Sequence, residues 1–249
     1  VIQGCAEPVP CRAVANLVVV LNAGDKAVII GEVWENAAHY LNGDMLASAM
    51  NYDFRRYCRR FFAEETVGAE TFDTNVSTLL LRYGENALYA QLNLLDSHDV
   101  SRYMTLCGEN MEKMELSVLL QMTFPGIPCV FYGNEKGLNG NTESEYRQAM
   151  AWEKSHPLEE VYRRLIALRK DHPALQYGSF RTNVASDKVY SFSRTWNDKE
   201  ITVTMNLGAA PIQAPKHGRL LLKKGENRDI IGAWEYEVRE EQIHGGDDL

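Results

Sequence analysis

Two patterns of apolar residues alternate through the first two thirds of the chain. Short solid runs, "AVII" (Ala27–Ile30), "LASAMNYDF" (Leu46–Phe54), "LNLLD" (Leu92–Asp96) and "GIPCVFYGNE" (Gly126–Glu135), predict buried strands. Between them the apolar positions recur at three- and four-residue steps. "FRRYCRRFFAEE" sets Phe54, Tyr57, Cys58, Phe61 and Phe62 on one stripe with arginines opposite, the pattern of an amphipathic helix. The spacing predicts another helix in "TFDTNVSTLLLRYG", ending near Gly84, one just after it, and one over Asn110–Phe124. Residues 1 to 26 have no clear period; Val14–Leu21 is a compact apolar run that fits helix or strand.

From Leu158 the text changes. "LEEVYRRLIALRKDHPAL" is an amphipathic helix stopped at His172–Pro173, because the residue before a proline avoids helical backbone angles. Beyond Gly178 come segments with a period of two, "KVYSFSRTW", "EITVTMNLG", "GRLLLKK" and "WEYEVREE", with turns at "WNDKE" and "KKGEN". They predict a small antiparallel β domain, with a boundary near residue 177.

The repeating unit of the larger part is strand, loop, helix, strand. Parallel strands covered on both faces read as near-continuous apolar runs, so the expected class is α/β. In such folds the functional groups gather on loops at the carboxyl ends of the strands. Glu32, His98 with Asp99, and Asn134 with Glu135 all occupy that position.

Composition narrows the function classes. The 249 residues carry a net charge of −8 and no dense Lys/Arg cluster, which argues against nucleic-acid binding. No apolar run reaches the roughly 18 residues of a membrane span. Cys5, Cys11, Cys58, Cys107 and Cys129 are scattered and odd in number, without the close spacing of a zinc site. Read as free thiols, they favour a reducing compartment such as the cytoplasm. The six histidines show no i, i+4 pair and no H-E-x-x-H, so no metal site is expected. The first residue is Val, which points to a fragment.

"IIGEVWENA", "MNYDFRR", "NLLDSHDVSRY", "QMTFPGIPCVFYGNEKGL" and "RQAMAW", in that order, resemble the α-amylase family, glycoside hydrolase family 13, and within it the neopullulanase, cyclomaltodextrinase and maltogenic-amylase branch. "LIALRKDHPALQYGSF" is similar to that branch too, and the resemblance covers about residues 27 to 206. It implies a (β/α)8 barrel followed by a β-sandwich domain. The chain then holds barrel strands five to eight over residues 27–176, a β-sandwich over 177–249 and an unmatched segment over 1–26.

The resemblance carries Glu32 over as general acid/base, Asp99 as the carboxylate that steadies the transition state, His98 as its substrate-binding neighbour and Trp34 as a sugar-stacking residue. Asn134 and Glu135 fall where further substrate contacts are expected, although the family often has aspartate where Asn134 stands. The chemistry accounts for these residue types. Glycosidic cleavage needs a proton donor to the leaving oxygen and negative charge beside an oxocarbenium-like centre. A neutral imidazole can donate to a sugar hydroxyl, and flat rings match the apolar faces of glucose.

A retaining enzyme also needs a nucleophilic carboxylate about 5 Å from the acid. The family supplies it in a "G-x-R-x-D" segment ending the fourth strand. Upstream of Glu32 no such segment exists: Val14 stands two places after Arg12, and Asp25 lies too close to Glu32 to end a previous strand. The chain therefore resembles the second half of a barrel, inactive alone, with the usual calcium ligands of the family in the missing half. A half barrel has two open sheet edges and invites self-association or pairing with its complement.

Plainer readings stand beside these. Glu32 can be a strand-end charge, His98–Asp99 a helix-capping pair, Trp34 rim packing, and Asn134–Glu135 loop closure; Tyr52 and Arg55 fit rim support. The leading expectation is a fragment of a retaining hydrolase of α-1,4 or α-1,6 glucosidic bonds acting on an α-glucan. The alternatives are a transglycosylase and a non-catalytic glucan-binding or assembly module.

Overall fold

The computed structural model describes residues 17–21, 28–42 and 45–243, with backbone only for 17–21. Ala27, Asp25, Cys5 and Cys11 lie outside them.

Four short strands run parallel in chain order: β2 (Val28–Glu32), β3 (Ser48–Ala49), β4 (Leu92–Leu94) and β5 (Ile127–Cys129). Ile30 pairs Ser48, Met50 bridges Leu92, and Leu92 pairs Ile127, so the row is continuous. Between β3 and β4 lie α1 (Tyr52–Cys58), extended by a π turn over Arg59–Ala63, then α2 (Ala69–Arg82) and α3 (Glu85–Ala90). Between β4 and β5 lie α4 (Tyr103–Leu106) and α5 (Met111–Thr123). After β5 come α6 (Glu143–Tyr146), α7 (Leu158–Asp171) and α8 (Pro173–Tyr177).

Inside the row, amides hold the strand ends in register. Asn51 donates to Asn93 Oδ1 at 2.8 Å, Asn93 donates to the Pro125 carbonyl at 2.7 Å, and Gln121 donates to the carbonyls of Asn93 and Cys129. Gly126 makes the turn from α5 into β5 with φ +110°, and a Cβ there would stand 2.7 Å from the Asn93 amide. Only glycine fits both demands.

Several elements differ from their expected extent. Leu46–Phe54 is strand only at Ser48–Ala49, because the Asn51 side chain accepts the Phe54 N–H at 3.1 Å and starts α1. β5 stops at Cys129, and Phe131–Gly137 forms successive turns. The stripe of Phe54, Tyr57, Cys58, Phe61 and Phe62 is buried, but so is Arg55, expected on the opposite face. The strands are also less enclosed than solid apolar runs suggest: Val28 is 42% and Ile127 48% exposed. Cys58, Cys107 and Cys129 are free thiols.

The edge of the row beside β2 is not open. β1 (Leu17–Leu21) pairs with it antiparallel, Leu17 opposite Glu32 and Leu21 opposite Val28. Only six residues join the two strands, and a parallel crossover takes about a dozen or more, so the connection dictates a hairpin. Of the two edges expected to be free, the chain covers one itself.

The tail is one antiparallel sheet in the order β10-β12-β8-β7-β6, made of β6 (Ser179–Ser186), β7 (Val189–Trp196), β8 (Lys199–Asn206), β10 (Arg219–Lys224) and β12 (Glu235–Gln242). β9 (Ile212–Gln213) and β11 (Ile230–Ile231) pair as a separate two-stranded ribbon, not as a full second sheet. Tyr190, Phe192, Ile201, Val203, Met205, Tyr236 and Val238 share one buried cluster with Phe61, Phe72 and Phe124 of the helical layer. Arg194, fully buried, donates to the carbonyls of Gly178, Leu175 and Thr123 and so ties β7 to α8 and the end of α5. Burial pushes its guanidinium down to about 9.

Candidate functional site

Glu32 is the last residue of β2 and is 5% exposed. Its Oε1 accepts the Tyr52 hydroxyl at 2.7 Å, and the same hydroxyl lies 2.9 Å from Ser97 Oγ. Burial, then the bond to Glu32, push the Tyr52 phenol well up, so it stays a donor. Trp34 stacks on the Tyr52 ring, centroids 4.1 Å apart and planes 13° from parallel, while 39% of its own surface stays open. Tyr52 thus orients the carboxylate with its hydroxyl and the indole with its ring.

The loop after β4 brings the second group. His98 Nε2 lies 3.2 Å from Asp99 Oδ2, and both side chains are partly exposed. Arg147 donates from Nη2 to Asp99 Oδ1 at 2.7 Å and from Nε to the His98 carbonyl at 2.8 Å. Ser97 Oγ accepts the Asp99 N–H at 3.3 Å, which links this loop through Tyr52 to Glu32. One polar atom each of Glu32, His98 and Asp99 lies within 4.8 Å of the others. Arg147 supplies positive charge at Asp99.

Arg55 fixes the loop from below, donating to the carbonyls of Leu95 at 2.8 Å and Ser101 at 2.9 Å. Arg102, without exposed surface, reaches the Tyr132 and Tyr146 carbonyls and lies 4.6 Å from the ring centroids of both Phe131 and Tyr132.

Of the residues singled out in the sequence, Glu32, His98, Asp99 and Trp34 are therefore neighbours. Asn134 and Glu135 do not join them. Asn134 is buried and its amide is spent on Asp96 and the Phe131 carbonyl. Glu135 lines a groove with Val130, Tyr162 and Ile166.

Residues 11–172 match the family described as alpha amylase, catalytic domain. The chain belongs to the α-amylase family. Among its relatives, the neopullulanase 2 of Thermoactinomyces vulgaris is 40% identical over 185 residues, 72% of this chain and 32% of that protein. The cyclomaltodextrinase of Thermoanaerobacter pseudethanolicus is 37% identical over 191 residues, 76% of this chain and 33% of that protein. A solved debranching enzyme of Nostoc punctiforme, soaked with acarbose, superposes with a TM-score of 0.77 at 28% identity, covering 86% of this chain and 50% of that one. This α-amylase-family chain thus spans about a third of the length of the curated relatives it matches.

Sequence reasoning passed over Tyr52 and Arg147 as site residues and read Asp96 and Ser97 only as a strand end and the polar break after it. Tyr52 was within reach: "MNYDF" follows a strand end, as Glu32 and Asp99 do. Nothing in the sequence marks Arg147 as the partner of Asp99, since 48 residues separate them.

Proposed function

We propose that this chain is barrel strands five to eight and the tail domain, from about residue 177, of a retaining hydrolase of α-1,4 or α-1,6 glucosidic bonds. Glu32 is the general acid/base, Asp99 steadies the oxocarbenium-like centre, and His98 and Trp34 contact sugar. One observation carries the reading: Glu32, His98 and Asp99 lie within 4.8 Å of one another at the carboxyl ends of two parallel strands. The names of the relatives, cyclomaltodextrinase and neopullulanase, support an α-glucan substrate. Transglycosylation uses the same covalent intermediate and remains the nearest neighbouring activity.

The nucleophile comes from outside the chain. β1 runs antiparallel to β2, so its carboxyl end lies beside Val28, away from Glu32. A strand so placed does not deliver a following carboxylate to the site. Among the described residues β5 pairs only with β4, and its other side, with Ile127 half-exposed, is the edge through which a complementary half or a second copy adds on. A non-catalytic glucan-binding module is the second reading, favoured by that missing carboxylate.

Incubation with maltotetraose, scored by new reducing ends, tests the assignment. The chain alone releases none. Mixed with a polypeptide carrying barrel strands one to four of the neopullulanase relative, it gains hydrolysis that Glu32→Gln abolishes. Hydrolysis by the chain alone overturns the half-site reading. Calorimetric binding of maltotetraose that Trp34→Ala weakens, without any rescue of turnover, favours the binding module; neither binding nor rescue rejects the glucan assignment.

A further inference from the structure

Outside the Glu32–His98–Asp99 cluster, but on the same loop, lies the buried carboxyl of Asp96, two residues before His98. Its Oδ1 accepts the Tyr103 N–H at 2.5 Å, at the first residue of α4. The Asn134 amide, turned so that its hydrogens meet acceptors, donates to Asp96 Oδ2 at 3.2 Å and to the Phe131 carbonyl at 2.8 Å. The buried Tyr162 hydroxyl of α7 stands next to the same amide. Two guanidinium groups act on the carboxyl: Arg55 from α1 and Arg102 from the far end of the loop, the latter with its Nη2 buried and unpartnered. The Cys107 thiol is the remaining titratable neighbour.

We propose that Asp96 is a positioning residue, which fixes the Ser97–Arg102 loop and with it the placement of His98 and Asp99 against Glu32. The proposal rests on the reading of those residues given above, but its test follows loop geometry and needs no turnover. Both ends of the loop converge on this carboxyl: Leu95 and Ser101 through Arg55, and Tyr103 directly. The loop is held besides by Tyr52 at Ser97, by the Asn141 side chain at Ser101, by the Gly140 carbonyl at the Arg102 N–H and by Arg147, which is half-exposed.

The anion is what these partners fit. Each oxygen accepts an N–H, and the neighbouring charges are positive. A proton on either oxygen turns an acceptor toward a donor, so one of the two bonds is lost. Burial, the largest influence, pushes Asp96 up to about 7 against the pull of Arg55 and the Tyr103 N–H. The exchange between the two forms therefore falls in the neutral range.

The test follows backbone amide resonances between about pH 5 and 9, on either side of that exchange. A His98→Gln background removes the imidazole from the loop. The Tyr103 amide reports Asp96 directly, and the Asp99 amide reports the loop. Both are expected to shift together with one midpoint near 7. Asp96→Asn in the same background abolishes both steps. Asn134→Ala leaves the carboxyl in place but removes a donor to its anion, and so moves the common midpoint upward. If Asp96→Asn does not fold, the native titration and Asn134→Ala still decide. A flat Asp99 amide at the Tyr103 midpoint, a step that survives Asp96→Asn, or a midpoint unmoved by Asn134→Ala each overturn the proposal.

Discussion

Replacing Tyr52 by phenylalanine isolates the hydroxyl that joins the two halves of the site. The ring stays, so its stacking on Trp34 is preserved. What is lost is the 2.7 Å bond to Glu32 and the 2.9 Å contact with Ser97. A buried acceptor left without its donor costs about 1–3 kcal/mol. Ser97 keeps the Asp99 N–H as a partner, and Glu32, 5% exposed, can recruit some water, so the middle of that range applies. The expected loss is about 2 kcal/mol, which for a chain of this size lowers Tm by roughly 4–8 °C. Urea unfolding at neutral pH, followed by tryptophan fluorescence and by far-UV circular dichroism, measures it. An unchanged m-value is required, so that the loss is read as native-state destabilisation. A Tyr52→Phe protein within about 0.5 kcal/mol of the parent, the usual size of an inconsequential substitution, refutes the claim that this hydroxyl holds the site together.

Three other expectations follow from the same geometry. Arg147→Ala removes a half-exposed ion pair and costs under about 1 kcal/mol in urea melts, while the Asp99 amide resonance shifts. Burial opposes ionisation of Glu65, but Lys113 and Lys188 outweigh it and hold its carboxyl below the usual range. Its stabilisation is therefore present at neutral pH and lost as pH falls through the acid range. Glu65→Gln lowers Tm at pH 7, and the difference shrinks as pH falls below the usual glutamate value; a difference independent of pH counts against the ion-pair account. Gly126→Ala forces a Cβ onto the Asn93 amide at a φ of +110° and is expected to lose about 2 kcal/mol or more, checked by thermal melting.

Asp96 works in the opposite sense to Glu65. Between about pH 4, where a free aspartate ionises, and about 7, the folded chain holds a proton that the unfolded chain has released. Stability therefore falls with rising pH over that interval, by at most about 1.4 kcal/mol per unit. Urea melts at a series of pH values show that slope in the parent and lack it in Asp96→Asn.

The parts of this molecule legible in the sequence are those set by local pattern. The α7 stripe, the stop at His172–Pro173, the hairpin over "WNDKE" and the acidic strand end at Glu32 each depend on residues a few positions apart. Strand length was misjudged at Leu46–Phe54, where a single capping amide from Asn51 outweighs a favourable apolar run. The site was only half visible for a related reason. Glu32, His98 and Asp99 stand at strand ends, where topology alone gathers them. Tyr52, Ser97, Asp96 and Arg147 act through contacts that span tens of residues, and their side chains have no periodicity to betray them. The antiparallel course of β1 was hidden because the same apolar run fits several structures, and only its short connection decides among them.

The family match stops at residue 172, yet the apolar cluster does not. Phe72, Phe61 and Phe124 face Tyr190 and Phe180, and Arg194 reaches the Thr123 carbonyl on the other side of the line. Cutting the gene there would strip the helices of their cover and leave the β-sheet with a greasy inner face. Heredity has drawn its border through the middle of one apolar core, and whatever chain inherits these helices must inherit the trailing strands with them.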